Sequence, residues 1–261
     1  MLTRFRAAGL VWPTLATLLA LAMLMGLGVW QWQRMAWKTA LAAQIEARAK
    51  DAPLAQRQAL GLSCDAPAGQ MSTRCEYVRV RLEGRFEHAG ERHVFAGVHS
   101  VDRRSGVGYW IFTPFVPVGS QRPIYVNRGF VPDALKAPAT RPDSLPEGEV
   151  TIVAQVRTRE VRGRFDGEND RQKNMFFVRD PREFAVVGAP IALPDSGGIA
   201  SVPFYLEVIA APGQTGFPRP LAGTIAIPNR HFEYALTWWG LALTLIGVYG
   251  SFAWARLRVI R

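Results

Sequence analysis

The stretch Pro228–Trp254, PNRHFEYALTWWGLALTLIGVYGSFAW, decides how this chain is built. From Tyr234 to Ala255 it carries no charged side chain, about the length a helix needs to cross a bilayer. Directly before that run stand Asn229, Arg230, His231 and Glu233. An imidazole, a group that titrates near neutrality and binds metals, therefore sits at the mouth of a membrane-length helix.

Working outward, a second apolar run lies near the other end. Ala7–Gln33 holds no charge and follows Arg4 and Arg6. It is too long for a signal-peptide core, and no small-x-small cleavage pattern follows it, so an uncleaved membrane helix is expected. Pro13 falls in its first turns, where a missing amide hydrogen is tolerated. Arg4 and Arg6 on one tail, with Arg256, Arg258 and Arg261 on the other, place both tails in the cytoplasm. The roughly 200-residue middle is too long for its charges to count in that rule and is expected to be translocated. Trp30, Trp32 and Trp37, with Tyr234 and Trp254, fit interfacial aromatic belts. Arg34–Lys50 is rich in helix formers, so the first helix should run on beyond the apolar core. Small residues four apart, Ala22 with Gly26 and Gly240 with Thr244, offer a close approach of the two helices. The plain alternative is that such residues are simply common in membrane helices.

The expected division is a tail at 1–9, a transmembrane helix at 10–32, a β-rich domain at 33–229, a second transmembrane helix at 230–255 and a tail at 256–261. Residues 33–50 form the helical extension. The fold class is a membrane protein with two transmembrane helices flanking an extracytoplasmic, mainly antiparallel β (α+β) domain.

Within the middle, the apolar period changes to two. Tyr77–Leu82 alternates, and His93–Val98, Tyr109–Phe115, Ile124–Phe130, Val150–Val156, Met175–Val178 and Phe204–Ile209 are further strand candidates. Short strands at this spacing predict an antiparallel sheet or small barrel rather than a parallel nucleotide-binding sheet. Pro181–Val187 reads as a short helix, Pro138–Gly148 as a surface loop and Arg157–Lys173 as a charged, mobile excursion. Cys64 and Cys75 close a loop disulfide in an oxidising compartment or remain two thiols. The net charge of +10 would point to nucleic acid in a cytosolic protein. With the domain translocated, lipid headgroups or heme propionates are the better anionic partners.

No GxSxG, phosphate loop or HExxH occurs, so the hydrolase, nucleotide and zincin classes lose their usual signatures. His88, His93 and His99 do not share one strand face and read as surface or turn residues rather than a metal trio. His231 admits two readings. The plain one is an interfacial residue at a helix start; the sharper one is an axial heme ligand. On a helix, His231, Tyr234, Ala235 and Trp238 share a face. Aromatic rings there, with Trp30 at the exit of the first helix, would cover a porphyrin. Arg230 and Arg34 would pair with its propionates, or merely snorkel to the interface.

Several motifs then fall into a known order. Gly28-Val29-Trp30-Gln31-Trp32-Gln33-Arg34 precedes Trp37-Lys38. Gly84-Arg85-Phe86, Gly106 with Gly108, and Thr113-Pro114 follow. Asn127-Arg128-Gly129-Phe130-Val131-Pro132 comes next, with Phe130 where tryptophan is usual. Asn174-Met175-Phe176-Phe177, Pro203-Phe204-Tyr205-Leu206-Glu207, Asn229-Arg230-His231, Tyr234-Ala235 and Thr237-Trp238 complete the series. In order and spacing, over nearly the whole chain, this resembles the Surfeit locus protein one (Shy-one-like) family of cytochrome c oxidase assembly factors. The resemblance implies a non-enzymatic role: placing heme a into the catalytic subunit of a heme-copper terminal oxidase, with His231 as a ligand to the heme iron. It implies that catalytic subunit as partner, with the heme a synthase as a further candidate, at a bacterial inner membrane with the domain periplasmic. The Cys64/Cys75 loop is outside the family pattern. Asn127-Arg128-Gly129 also has a plain use as a turn at a strand end.

Two other readings compete. One is a scaffold that holds an assembly intermediate without touching heme. The other is a two-helix sensor, disfavoured because six residues after Ala255 are too few for an output domain.

Overall fold

The computed structural model describes residues 6, 8–62, 64, 75–101, 104–120, 122–184, 204–209, 216–220 and 228–259. The chain divides into two units, residues 1–45 with 226–261, and residues 46–225.

The first unit is a helix pair. α1 spans Val11–Lys50, its last turns belonging to the second unit. The sheet unit adds α2 at Gln56–Leu60 and α3 at Pro181–Phe184, and the helix pair is completed by α4 at His231–Val259. Both α1 and α4 are long and apolar enough to cross a membrane. Their shielded residues follow a 3–4 rhythm: Thr14, Thr17, Leu21, Leu24, Gly28, Gln31 and Met35 on α1, and His231, Ala235, Trp238, Ala242, Leu245 and Tyr249 on α4. That is the near-3.5 spacing at which one stripe of a helix keeps facing its neighbour. Gln31 meets His231, and Thr14 meets Tyr249. The pairs run in opposite directions along the two helices, so α1 and α4 are antiparallel. Seventeen residues separate Thr14 from Gln31, roughly 26 Å of helix axis at 1.5 Å per residue.

The close approach is made by Gly28, which is buried. A Cβ there would collide with the Trp239 indole. This corrects the expectation from Ala22, Gly26, Gly240 and Thr244. Ala22 and Gly26 lie exposed, and nothing stands within 4 Å of a Cβ placed at Gly26 or Gly240. A four-residue spacing selects a helix face but not which face becomes the seam.

The second unit is built on seven strands: β1 Arg79–Phe86, β2 Arg92–Val101, β3 Arg104–Pro117, β4 Ile124–Pro132, β5 Val150–Thr158, β6 Met175–Phe176 and β7 Phe204–Val208. The sheet order is β1-β5-β7-β4-β3-β2-β6, and β1 pairs again with β3. That extra pairing closes five strands into a ring, β1-β5-β7-β4-β3. An odd ring cannot alternate direction all the way round, so one pair must be parallel. It is β4 with β7. β2 with β6 is also parallel, and the sheet is therefore mixed. Closure leaves the five ring strands without a free edge, while β2 and β6 branch from β3.

Val80, Leu82, Phe115, Val126, Ala154 and Leu206 fill one side of the ring. The other side of β3, β4 and β7 is also buried: Phe112, Tyr125 and Tyr205 pack with Phe176 and Phe184. Phe184 lies 5.1 Å from the ring centroids of Phe112, Tyr125 and Phe176. These strands therefore read as near-continuous apolar runs, whereas β1 and β5 alternate. Residues 185–187 of the expected helix lie outside the described residues. Cys64 and Cys75 form a disulfide, with Cα atoms 5.6 Å apart.

A further expectation is overturned. Asn127-Arg128-Gly129 is not a turn at a strand end but a bulge inside β4. Between the Trp110–Phe130 and Phe112–Asn127 pairs, β3 advances two residues while β4 advances three. Gly129 takes φ +125°, and a Cβ there would strike the Arg219 backbone. The Arg157–Lys173 excursion, largely exposed from Val161 to Glu168, is tied at several points. Arg162 and Asn169 bind Glu183, Glu160 pairs with Arg179, and Asp170 exchanges backbone hydrogen bonds with Met175.

Candidate functional site

The polar mouth of the helix pair collects the residues that the sequence marks out. His231 Nδ1 lies 2.6 Å from Gln31 Oε1. Asn229 Nδ2 donates to Thr39 Oγ1 at 3.2 Å and to the Met35 carbonyl at 3.3 Å. Lys38 Nζ donates to the Pro228 carbonyl at 2.9 Å. These cross-links fix the start of α4 against α1. Below the polar groups lies an aromatic layer: Trp32 is 6.2 Å from Phe232 and 6.1 Å from Trp239 between ring centroids. Glu233 sits in the first turn of α4, where a carboxylate is stabilised by the helix dipole.

Not every predicted site residue joins this cluster. Ala235 is buried in the seam and Trp238 is half-buried, but Tyr234 is 54% exposed, as is Trp30. Arg34 stacks on Trp37, its guanidinium 4.1 Å from the ring centroid. Arg230 is exposed. His231 thus has Gln31 as its hydrogen-bond partner and Phe232 as its chain neighbour, while Trp32 packs between Phe232 and Trp239. Gln31 carries no local signal of its own. It becomes legible only when the seam is phased from Gly28, three residues earlier on the same stripe.

A heme needs a lone-pair nitrogen for iron, flat apolar walls, and cations for its carboxylates. The mouth supplies one imidazole with a nitrogen not engaged by Gln31, the Trp32 and Phe232 rings, and Arg34, Arg230 and Lys38. The donor set fits such a group.

Among the described residues, the sheet unit holds two buried ionic clusters that no local sequence pattern announces. In the first, Glu76 and Glu207 flank Arg157 at 2.8 Å each. Glu76 also accepts from the Thr158 amide and hydroxyl, both at 2.7 Å. Burial opposes the Arg157 charge, but the groups around it, both carboxylates among them, outweigh that and hold it above its ordinary value. In the second, Glu91 binds His93 at 2.8 Å and Arg141. Burial works to raise the Glu91 carboxyl, yet hydrogen bonds from His93 and Arg141 prevail and hold it below the usual carboxylate range. Arg128 lies over the Phe86 ring, and burial pushes its guanidinium down to about 10. His93 is therefore a buried partner of Glu91 rather than a surface residue, and His88 Nε2 donates to the Pro146 carbonyl at 3.0 Å. The His99 side chain lies outside the described residues. No group of three His, Cys, Asp or Glu suited to a metal occurs among the described residues.

Two membrane-length helices bracketing a closed mixed sheet, with a histidine held at the helix mouth, define a two-helix protein with a sheet domain set between the helices in sequence. The SURF1 family profile matches residues 18–243. Surfeit locus protein 1 of Homo sapiens is 31% identical over 232 residues, covering 83% of this chain and 69% of the human protein. Its Takifugu rubripes counterpart is 31% identical over 230 residues, covering 83% and 86%. The SURF1-like protein of Drosophila melanogaster is 31% identical over 253 residues, covering 90% and 74%. This chain belongs to the SURF1 family.

Proposed function

We propose that this chain is an assembly factor, not an enzyme, for a heme-copper terminal oxidase (cytochrome c oxidase), and that it holds heme a as cargo at the mouth of the α1–α4 pair. The observation that carries this reading is His231, hydrogen-bonded to α1 above an aromatic layer between two membrane-length helices. α1 and α4 cross a bacterial inner membrane with both ends cytoplasmic and the sheet unit periplasmic. The flanking arginines support that orientation, and so does the Cys64–Cys75 disulfide, which suits an oxidising compartment.

The residues divide the work. His231 offers one nitrogen to iron. Trp32 and Phe232 offer apolar ring faces beside it. Arg34, Arg230 and Lys38 favour carboxylates at the polar rim. A single protein ligand keeps release possible, because the catalytic subunit of the oxidase offers further ligands and a better-packed pocket, and transfer then follows differential affinity. The heme a synthase is the natural donor.

The test is complementation of a strain lacking the protein. With His231→Ala at wild-type abundance, the oxidase should contain markedly less heme a. Full heme a content would contradict cargo handling and leave a scaffold that stabilises an assembly intermediate without binding heme.

A further inference from the structure

We infer that Gln31 is the positioning residue that sets which nitrogen of His231 is available as a donor atom; this rests on the heme-cargo reading for its purpose, though not for its geometry. The amide oxygen of Gln31 lies 2.6 Å from His231 Nδ1. A carbonyl oxygen only accepts, so the Nδ1 facing it carries the ring proton. In a neutral imidazole the other nitrogen, Nε2, then holds the lone pair. Free histidine is under no such constraint, and the choice of tautomer here is made by an α1 side chain.

Gln31 is itself held. Three residues before it, Gly28 takes the Trp239 indole against its backbone. The next residue, Trp32, packs on Phe232 and Trp239. The amide therefore reaches the ring from a stretch of helix packed against α4 on both sides of it in sequence. A ligating histidine that donates its second N–H to a carbonyl oxygen has a fixed ring plane and raised basicity. This pair has that arrangement before any cargo arrives, and it spans both helices. Loss of the α1–α4 pairing would release the ring as well as open the mouth. Gln31 thus couples helix pairing to readiness of the donor nitrogen.

The experiment uses full-length protein in detergent micelles with 15N-labelled histidine. Long-range proton–nitrogen spectra report the tautomer of His231, assigned by its loss in His231→Ala, for wild type, Gln31→Leu and Gln31→Glu. Each protein is then titrated with hemin and followed by the Soret band. The inference predicts the Nδ1–H form in wild type, its loss in Gln31→Leu and its return in Gln31→Glu, where a carboxylate is again an acceptor. Hemin affinity should fall about 10- to 100-fold in Gln31→Leu and recover in Gln31→Glu. An Nε2–H ring in wild type, or an unchanged tautomer in Gln31→Leu, overturns the inference even if hemin binds. The predicted tautomers with no Soret band in any protein uphold the positioning role and overturn the heme-cargo reading.

Discussion

Replacing Glu207 by alanine removes the acceptor on which three strands of the ring converge. The Glu207 carboxylate is 1% exposed. It accepts from Asn127 Nδ2 on β4 at 3.2 Å, and from Gln155 Nε2 and Arg157 Nη1 on β5 at 2.8 Å each. Alanine leaves two amide donors unpaired, at about 1–3 kcal/mol each. It also halves the carboxylate company of Arg157, which keeps Glu76. Breaking one side of a buried ion pair costs about 3–5 kcal/mol, and the two routes agree. For a unit of this size each kcal/mol moves the midpoint by about 2–4 °C, so Glu207→Ala should melt roughly 10 °C early. Glu207→Gln keeps the shape and one acceptor oxygen and should cost about 1–2 kcal/mol. Calorimetry of the full chain gives the midpoints, and hydrogen exchange locates the loss in β4, β5 and β7. An alanine variant melting within about 2 °C of wild type, or a glutamine variant as weak as alanine, would show that Glu207 does not hold β4, β5 and β7 together.

Three further outcomes follow from the same structure. Gly28→Ala should separate α1 from α4 and weaken hemin binding, while Gly26→Ala, with open space at its Cβ, should match wild type in the same titration. Replacing Cys64 and Cys75 with serine removes a cross-link across 11 residues, worth about 3 kcal/mol by loop entropy, and the oxidised wild type alone should lose that margin on reduction. Glu91 is held below its ordinary value of 4.5, so its contribution is complete above that pH and disappears as pH falls through the lower folded value. Glu91→Gln should flatten this acid limb of the stability curve, and an unchanged limb would argue against the Glu91–Arg141–His93 cluster.

What the sequence made legible were features written locally. An uncharged run announces a membrane-length helix, period-two alternation announces β1, and the polar residues before Tyr234 mark the mouth with His231. Ring closure was not legible, because the β1–β3 pairing depends on distant chain segments meeting. The Glu76–Arg157–Glu207 cluster was invisible for the same reason: its members are 50 and 81 residues apart, and each alone looks like an ordinary surface charge. The excursion after Arg157 looked mobile because its charges are dense, yet they find partners in one another and in Glu183. Four-residue spacing points to Ala22 and Gly26, whereas the contact is at Gly28, because spacing alone cannot phase a seam. That error also hid Gln31, which lies one helical step from the true contact.

The most direct measurement is the visible spectrum of detergent-purified protein co-expressed with heme a synthesis, beside its His231→Ala variant. The account predicts a heme a band in the wild type that is lost in the variant. An equal band in both, or none in either while oxidase subunits co-purify, would contradict His231 as the residue that holds the cargo.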